Sequence, residues 1–215
     1  MRRFIMTILI VCLLVTSSKF VWASSNESKI LFSVRPTALE TAGFVTGLAV
    51  IPFDQEIFDF LNEYPLINSE IVIDSLNMLG DVRFQSVASL LLALSGNEVG
   101  EELLYAIGLT GLNTFVLKTL TGMARPKMGE GPIFTGIGFD DDYFAFPSGH
   151  TSSSFAVATV LAEYYPEYSW LFYSAASLIG LARIYSDEHW PSNVIFGAAL
   201  GHFSARLILN YEFRF

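Results

Sequence analysis

The stretch Phe146-Pro147-Ser148-Gly149-His150-Thr151-Ser152-Ser153-Ser154-Phe155-Ala156 decides how this chain is read. Proline, serine and glycine close a loop, and small and apolar residues follow without a break, so a helix opens near residue 149. Gly149 permits close backbone approach, and the first-turn N–H groups with the helix dipole make an anion site. His150 stands at its edge, where an imidazole can protonate a departing oxygen. Ser and Gly are also ordinary capping residues, so the tetrapeptide alone leaves both accounts open.

Upstream, residues 127–146 carry Gly129, Gly131, Pro132, Gly136 and Gly138 and form the only long loop. Loops of that length in compact domains are functional or disordered. Before it, an apolar segment over 101–123 reads as a helix that carries Lys118, with Arg125 seven residues on. That is two helical turns, so both cations project from one face, and Pro126 releases the chain into the loop. A Lys point charge beside an Arg fork suits a phosphate. Taken alone, two cations at a helix C-terminus are more often a dipole match and a solvated end. Downstream, Arg183 closes a helix over 168–185, and His189 lies just before Pro191, which opens another over 191–210. The short turn between brings a guanidinium and an imidazole to the same end. His189 and Asn193, four apart, fall on one face, although a helix-cap histidine is the plainer account of His189 by itself.

The remaining sequence places helices near 38–52, 84–96 and 149–164, and short amphipathic pieces within 55–80. Asn97 with Glu101 marks a helix start. There is no internal repeat and no second domain, so residues 24–215 read as one all-α unit. Residues 1–23 stand apart: Arg2 and Arg3 precede an apolar run of about 13 residues, and small residues lead to Ala23. That is the layout of a signal peptide, the alternative being an uncleaved anchor, for which the run is short against roughly 17–25 residues. The single cysteine, Cys12, lies inside this segment, so disulfides play no part in the remainder.

With 52% hydrophobic residues and a mean hydropathy of +0.48, the chain is a candidate for membrane association. A net charge of −9 argues against nucleic acid as a partner, because cationic neutralisation of phosphates dominates such binding. The few cations are concentrated in the motifs instead. Outside them, Lys29, Arg35, Arg206 and Arg214 gather on the terminal face of a six-span bundle, against Arg83 and Lys127 on the motif face. The positive-inside rule then turns the site outward, to an extracytoplasmic location. A cleaved signal would place a six-span site inward, so either residues 1–17 stay attached or one segment, 84–96 being the weakest, does not span. Core helices of a secreted, membrane-attached bundle are the third arrangement.

Lys118-x6-Arg125-Pro126, Pro147-Ser148-Gly149-His150 and Arg183-x5-His189, in that order, resemble the type 2 phosphatidic acid phosphatase (PAP2) family, which shares its site with vanadium haloperoxidases. The resemblance covers roughly 38–210 and implies a six-helix bundle with the site at one end of the helices. It implies that Lys118, Arg125, Ser148, Gly149 and Arg183 bind phosphate. His189 would be the nucleophile that becomes phosphohistidine, and His150 the acid that protonates the departing alcohol and then activates water. It implies a phosphorylated lipid or small phosphoester as substrate and no metal or other cofactor, vanadate serving only as a phosphate mimic. The family pattern is Ser-Arg-x5-His-x3-Asp, and this chain has Ala182 and Asn193 at the first and last of those positions. An Asp there orients the nucleophilic imidazole, and the analogous change in a serine-protease triad costs roughly 10⁴ in rate. Asn193 therefore motivates a second reading, a phosphate- or lipid-binding protein without turnover, and the vanadate site motivates a third, a haloperoxidase. Tyr143, Phe144, Phe146 and Trp190 flank the motifs, either as an interfacial belt or as packing between helix ends.

Overall fold

The structure, a computed structural model, describes residues 35–210; the expected signal or anchor segment at 1–23 lies outside that range. The described residues form eight α-helices, with no β-ladder beyond isolated bridges. They are α1 (Ala38–Val50), α2 (Asp54–Glu63), α3 (Glu70–Gly80), α4 (Val82–Leu94), α5 (Glu98–Thr121), α6 (Gly149–Tyr164), α7 (Ser169–Tyr185) and α8 (Pro191–Leu209). Six of these are the helices read from the sequence, and α2 and α3 are the amphipathic pieces of 55–80.

Local chemistry sets the ends. Asp81 caps α4, its Oδ1 accepting the Arg83 N–H at 2.8 Å, and Asn97 caps α5 by accepting the Val99 N–H at 2.9 Å. Both helices therefore start two to three residues earlier than apolar periodicity alone suggests. Pro191 sits in the first turn of α8, where its missing N–H costs nothing.

Helix α6 runs through the middle, packed on α5, α7 and α8. Its first turns are small and polar rather than greasy: Thr151, Ser152, Ser153 and Ser154 are all buried. The closeness comes from α8, where a side chain on Gly201 would overlap the Ser152 carbonyl and one on Gly197 would stand 2.9 Å from the Ser148 carbonyl. At the other end of the bundle Val99, Leu103, Ala106, Ala156, Val160 and Ala205 form an apolar core. The end holding the α6 N-terminus mixes buried polar groups with large apolar side chains, Met123, Phe146, Trp190 and Phe196 among them.

The outer faces are apolar as well. Val87, Leu90, Leu91 and Leu94 on α4, Leu112, Phe115 and Val116 on α5, and Trp170 and Leu171 on α7 are exposed. Among the described residues α5 and α8 are long and apolar enough to cross a membrane. Contiguous apolar surface of this kind goes with membrane association.

Candidate active site

The first cluster is built differently from its sequence reading. Helix α5 stops at Thr121 because Gly122 turns left-handed, with φ of 54°, and its N–H caps the Lys118 carbonyl at 3.0 Å. A Cβ there would lie 2.6 Å from Thr135 Oγ1, so glycine is required for shape as well as for φ. The chain then runs extended through Met123, which bridges Phe134 and Phe144 and folds the long loop back on the helix end. Arg125 is thus off the helix, with φ −76° and ψ 152°, and does not share a helical face with Lys118. Its N–H donates to the Asp142 carbonyl at 2.9 Å, which aims the guanidinium inward, where it is buried. Lys118 donates from Nζ to the Phe144 carbonyl.

The second cluster opens α6 as expected. Ser148 is the N-cap, its Oγ accepting the Thr151 N–H at 3.4 Å and the Thr151 hydroxyl at 2.9 Å, which leaves its own proton to donate elsewhere. A Cβ on Gly149 would meet only Lys118 Cε and Thr114 Cγ2, both at 3.8 Å. Protein packing therefore does not demand a glycine there, whereas close approach of an anion to its N–H does. His150 follows, half-buried, with Gly80 of α3 against its ring.

The third cluster hangs on the end of α7. Glu188 and His189 both donate their N–H groups to the Arg183 carbonyl, at 3.2 and 3.3 Å. Asp187 takes φ 56°, a left-handed position that Asp tolerates better than most, and its carbonyl is held by the Lys127 N–H at 3.0 Å. His189 is buried, and its Nδ1 lies 2.7 Å from the Ala145 carbonyl. A carbonyl oxygen only accepts, so Nδ1 carries the proton and Nε2 keeps its lone pair. Arg183 donates from Nη1 to Asn77 Oδ1 at 2.9 Å, and its Nη2 lies 3.8 Å from Glu188. Its Nε is buried without a partner among the described residues.

So Lys118, Arg125 and Arg183 converge with Gly149, His150 and His189 where the ends of α5 and α7 meet the starts of α6 and α8. A family model, the PAP2 superfamily, matches residues 101–215, which hold all three clusters. The chain belongs to the PAP2 superfamily. It is 44% identical over 61 residues to a lipid A 1-phosphatase of Porphyromonas gingivalis, covering 26% of this chain and 14% of that protein. It is 31% identical over 112 residues to a lipid A 1-phosphatase of Rhizobium johnstonii, covering 51% of this chain and 46% of that one. The chain thus spans less than half the length of these curated relatives. Among solved structures, Aquifex aeolicus LpxE superposes with a TM-score of 0.63 at 26% identity, over 74% of this chain and 96% of that one. A transmembrane PAP2 type phosphatidylglycerolphosphate phosphatase from Bacillus subtilis superposes at 0.61 and 20% identity, over 83% and 100%, which speaks to the fold.

Within this PAP2 fold, Asn193 is not where its sequence position suggests. Its Oδ1 accepts the Trp190 N–H at 3.0 Å, and its Nδ2 donates to Ser192 Oγ at 3.1 Å and toward Met123 Sδ at 3.2 Å. It closes a capping box on α8 and does not bond to His189. The orienting acceptor for His189 is the Ala145 carbonyl instead. Ser192 in turn donates its N–H and hydroxyl to the buried carboxyl of Asp54, at 2.8 and 2.6 Å. Phe146 and Trp190 are packing between helix ends: both are fully buried, and the indole N–H donates to the Ala124 carbonyl at 2.7 Å.

Burial and then the charges of Lys118, Arg125, Arg183 and His150 hold the His189 imidazole well below its ordinary pKa. It is neutral at pH 7, the form with a lone pair to offer. Burial pushes Asp54 up to about 7, against the pull of the Ser192 bonds. Sequence reasoning missed Asp54, Asn77 and Ala145. Asn77 lies on an amphipathic stretch with nothing to distinguish it, and Ala145 acts through its backbone. Only the neighbouring Pro147 hinted that this part of the loop is held in place.

Proposed function

We propose that this chain is a membrane-associated phosphatase that hydrolyses a phosphomonoester or diphosphate on a lipid, at a site facing outward from the cytoplasm. The observation that carries the reading is a buried, neutral His189 with a free Nε2, ringed by three cations. Phosphoryl oxygens would take Arg125, Arg183, Lys118, the Ser148 hydroxyl and the Gly149 N–H. Nε2 of His189 would attack phosphorus in line. His150, whose pKa burial and then the charge of Arg183 hold down to about 4, would be protonated once the bound phosphoryl charge offsets those cations, and would give that proton to the departing oxygen. The phosphohistidine so formed would have a positively charged ring under its anionic phosphoryl group, and would keep its Nδ1 proton on the Ala145 carbonyl. Neutral His150 then takes a proton from water as the hydroxide adds to phosphorus, the P–N bond breaks, and phosphate leaves with both histidines restored. Fixed cations and N–H groups stabilise the charge that develops on the phosphoryl oxygens, so the scheme uses no cofactor. Vanadate would then act as a phosphate mimic and inhibitor.

The binding-only reading rested on Asn193 as a defective orienting group. The Ala145 carbonyl at 2.7 Å supports catalysis instead, since it fixes the same tautomer that an Asp would. Three relatives carry the name lipid A 1-phosphatase, which makes lipid A the first substrate to try. Phosphate release from lipid A, phosphatidylglycerol phosphate, phosphatidic acid, undecaprenyl diphosphate and a soluble phosphoester tests the proposal. Turnover on a lipid that disappears in His189→Ala is expected. A folded protein inert on the whole panel, or His189→Ala as active as the parent, overturns it.

A further inference from the structure

Glu188 immediately precedes His189, and its carboxylate stands where a phosphoryl group needs to be. Its Oε2 accepts from Arg125 Nη1 and lies 3.8 Å from Arg183 Nη2, and its Oε1 lies 3.5 Å from Lys127 Nζ. One carboxylate therefore bridges the two guanidinium groups of the site. Arg125 turns its other donors to Asp141, with Nε to the carbonyl at 2.8 Å and Nη2 to Oδ1 at 3.0 Å. With Glu188 seated, Arg125 has no edge left for the bidentate grip that guanidinium gives a phosphate. Arg183 still has its buried Nε in hand, a donor that the carboxylate does not satisfy.

The carboxylate is also the member of the set that can leave. Glu188 has a quarter of its side chain exposed, whereas those of Arg125 and Arg183 are 9% and 11% exposed. Its backbone is tied down by the two N–H bonds to the Arg183 carbonyl and by the Lys127 bond to Asp187. The side-chain torsions of Glu188 can therefore swing the carboxylate toward water without moving the His189 ring.

We propose that Glu188 is a built-in counter-anion of the phosphate site and a specificity-determining residue. Resting on the phosphatase reading above, it makes every incoming anion displace a carboxylate before it reaches Arg125 and Arg183. Inorganic phosphate has only its own charge to offset that cost. A lipid phosphate brings apolar contacts as well, and spends part of that binding on the displacement. The site thereby favours lipid phosphates over small phosphoesters and resists inhibition by its own product.

The test compares the full chain in detergent micelles with Glu188→Gln, and with Glu130→Gln as a control. Glu130 lies in the long loop between α5 and α6 and accepts from the Tyr143 hydroxyl at 3.2 Å, so its change removes an equal charge without touching a guanidinium. Glu188→Gln should lower the inhibition constant of inorganic phosphate about tenfold, the scale of one close, partly exposed charge pair. It should lower KM for a short-chain phosphoester more than for a long-chain lipid phosphate. Glu130→Gln should change the phosphate constant less than about twofold, its field being screened. An unchanged constant in Glu188→Gln, or an equal fall in Glu130→Gln, overturns the inference while turnover by the parent leaves the phosphatase reading standing. Calorimetric titration with inorganic phosphate separates the two claims. An inert parent with tighter phosphate binding in Glu188→Gln sinks the phosphatase and keeps the counter-anion; no phosphate bound by either folded protein sinks both.

Discussion

At the far end of α8, about 22 Å along the helix from Pro191, Glu40 of α1 meets Arg206 and His202. Arg206 donates from Nε at 2.9 Å and Nη2 at 2.7 Å, and His202 Nδ1 lies 2.8 Å away. Near the start of the same helix, Glu188 meets Arg125, Arg183 and Lys127. The ingredients are alike, a carboxylate with guanidinium groups and a histidine nearby. In the first set the carboxylate is sealed, with Glu40 1% exposed and both of its oxygens bonded to Arg206. The second is shared among three cations at graded distances, partly wet, with Arg183 Nε to spare. Saturation makes a clamp between helices; incomplete saturation beside a buried imidazole leaves donors for a ligand.

The sharpest way to break this contrast is to blunt the fork at one end and then at the other. Arg183→Lys should cost about 10²–10³ in kcat/KM, the worth of one aimed donor at a developing oxyanion, with thermal unfolding little changed. Arg206→Met should do the reverse. It takes the guanidinium away from the buried Glu40 carboxylate and leaves His202 beside it, so stability should fall by about 3 kcal/mol while kcat/KM holds at temperatures where the protein stays folded. Denaturant melts paired with initial rates read both. If Arg206→Met instead silences turnover in a folded protein, the two ends are coupled and the division into clamp and site fails.

A smaller effect sharpens the account of α8. Asn193→Asp would remove both donors of the amide, those to Ser192 and Met123, and add a buried negative charge close to Asp54. Turnover should not rise, and stability should drop by about 1–2 kcal/mol. A gain in kcat would return Asn193 to the role its sequence position suggested. Asp54 adds a dependence on pH to the same end of α8. Its carboxyl is raised from 3.8 to about 7 in the folded protein, so the stability it contributes is full below pH 4 and is lost as pH climbs toward 7. Asp54→Asn cannot ionise, and unfolding free energy measured from pH 4 to 7 should flatten accordingly.

These same residues mark how far the sequence could be read. Helix ends followed from punctuation that acts locally, as Pro191, Asn97 and the Ser148-Gly149 pair do. The motif side chains followed from order and spacing. What the spacing misread is Arg125, since counting seven residues assumes that the helix continues, and one left-handed glycine at 122 ends that assumption. The chain reaches the right place by a loop rather than by a helical face. Asn193 was misread for a related reason: four residues from His189 describes proximity, but the capping demand of α8 claimed the amide first. Asp54, Asn77 and Ala145 act across 138, 106 and 44 residues of chain. No periodicity or turn chemistry reports on such distances.

The central claim is that Nε2 of His189 becomes bonded to phosphorus during turnover. The protein should be mixed with the lipid phosphate that it hydrolyses best, quenched in alkali within the turnover time, and mapped by peptide mass spectrometry. The account predicts a phosphoryl group on the peptide holding His189, stable to base, lost in mild acid, and absent from His189→Ala. Rapid turnover with that peptide unmodified at every quench time, or the phosphoryl group on His150 instead, would contradict it.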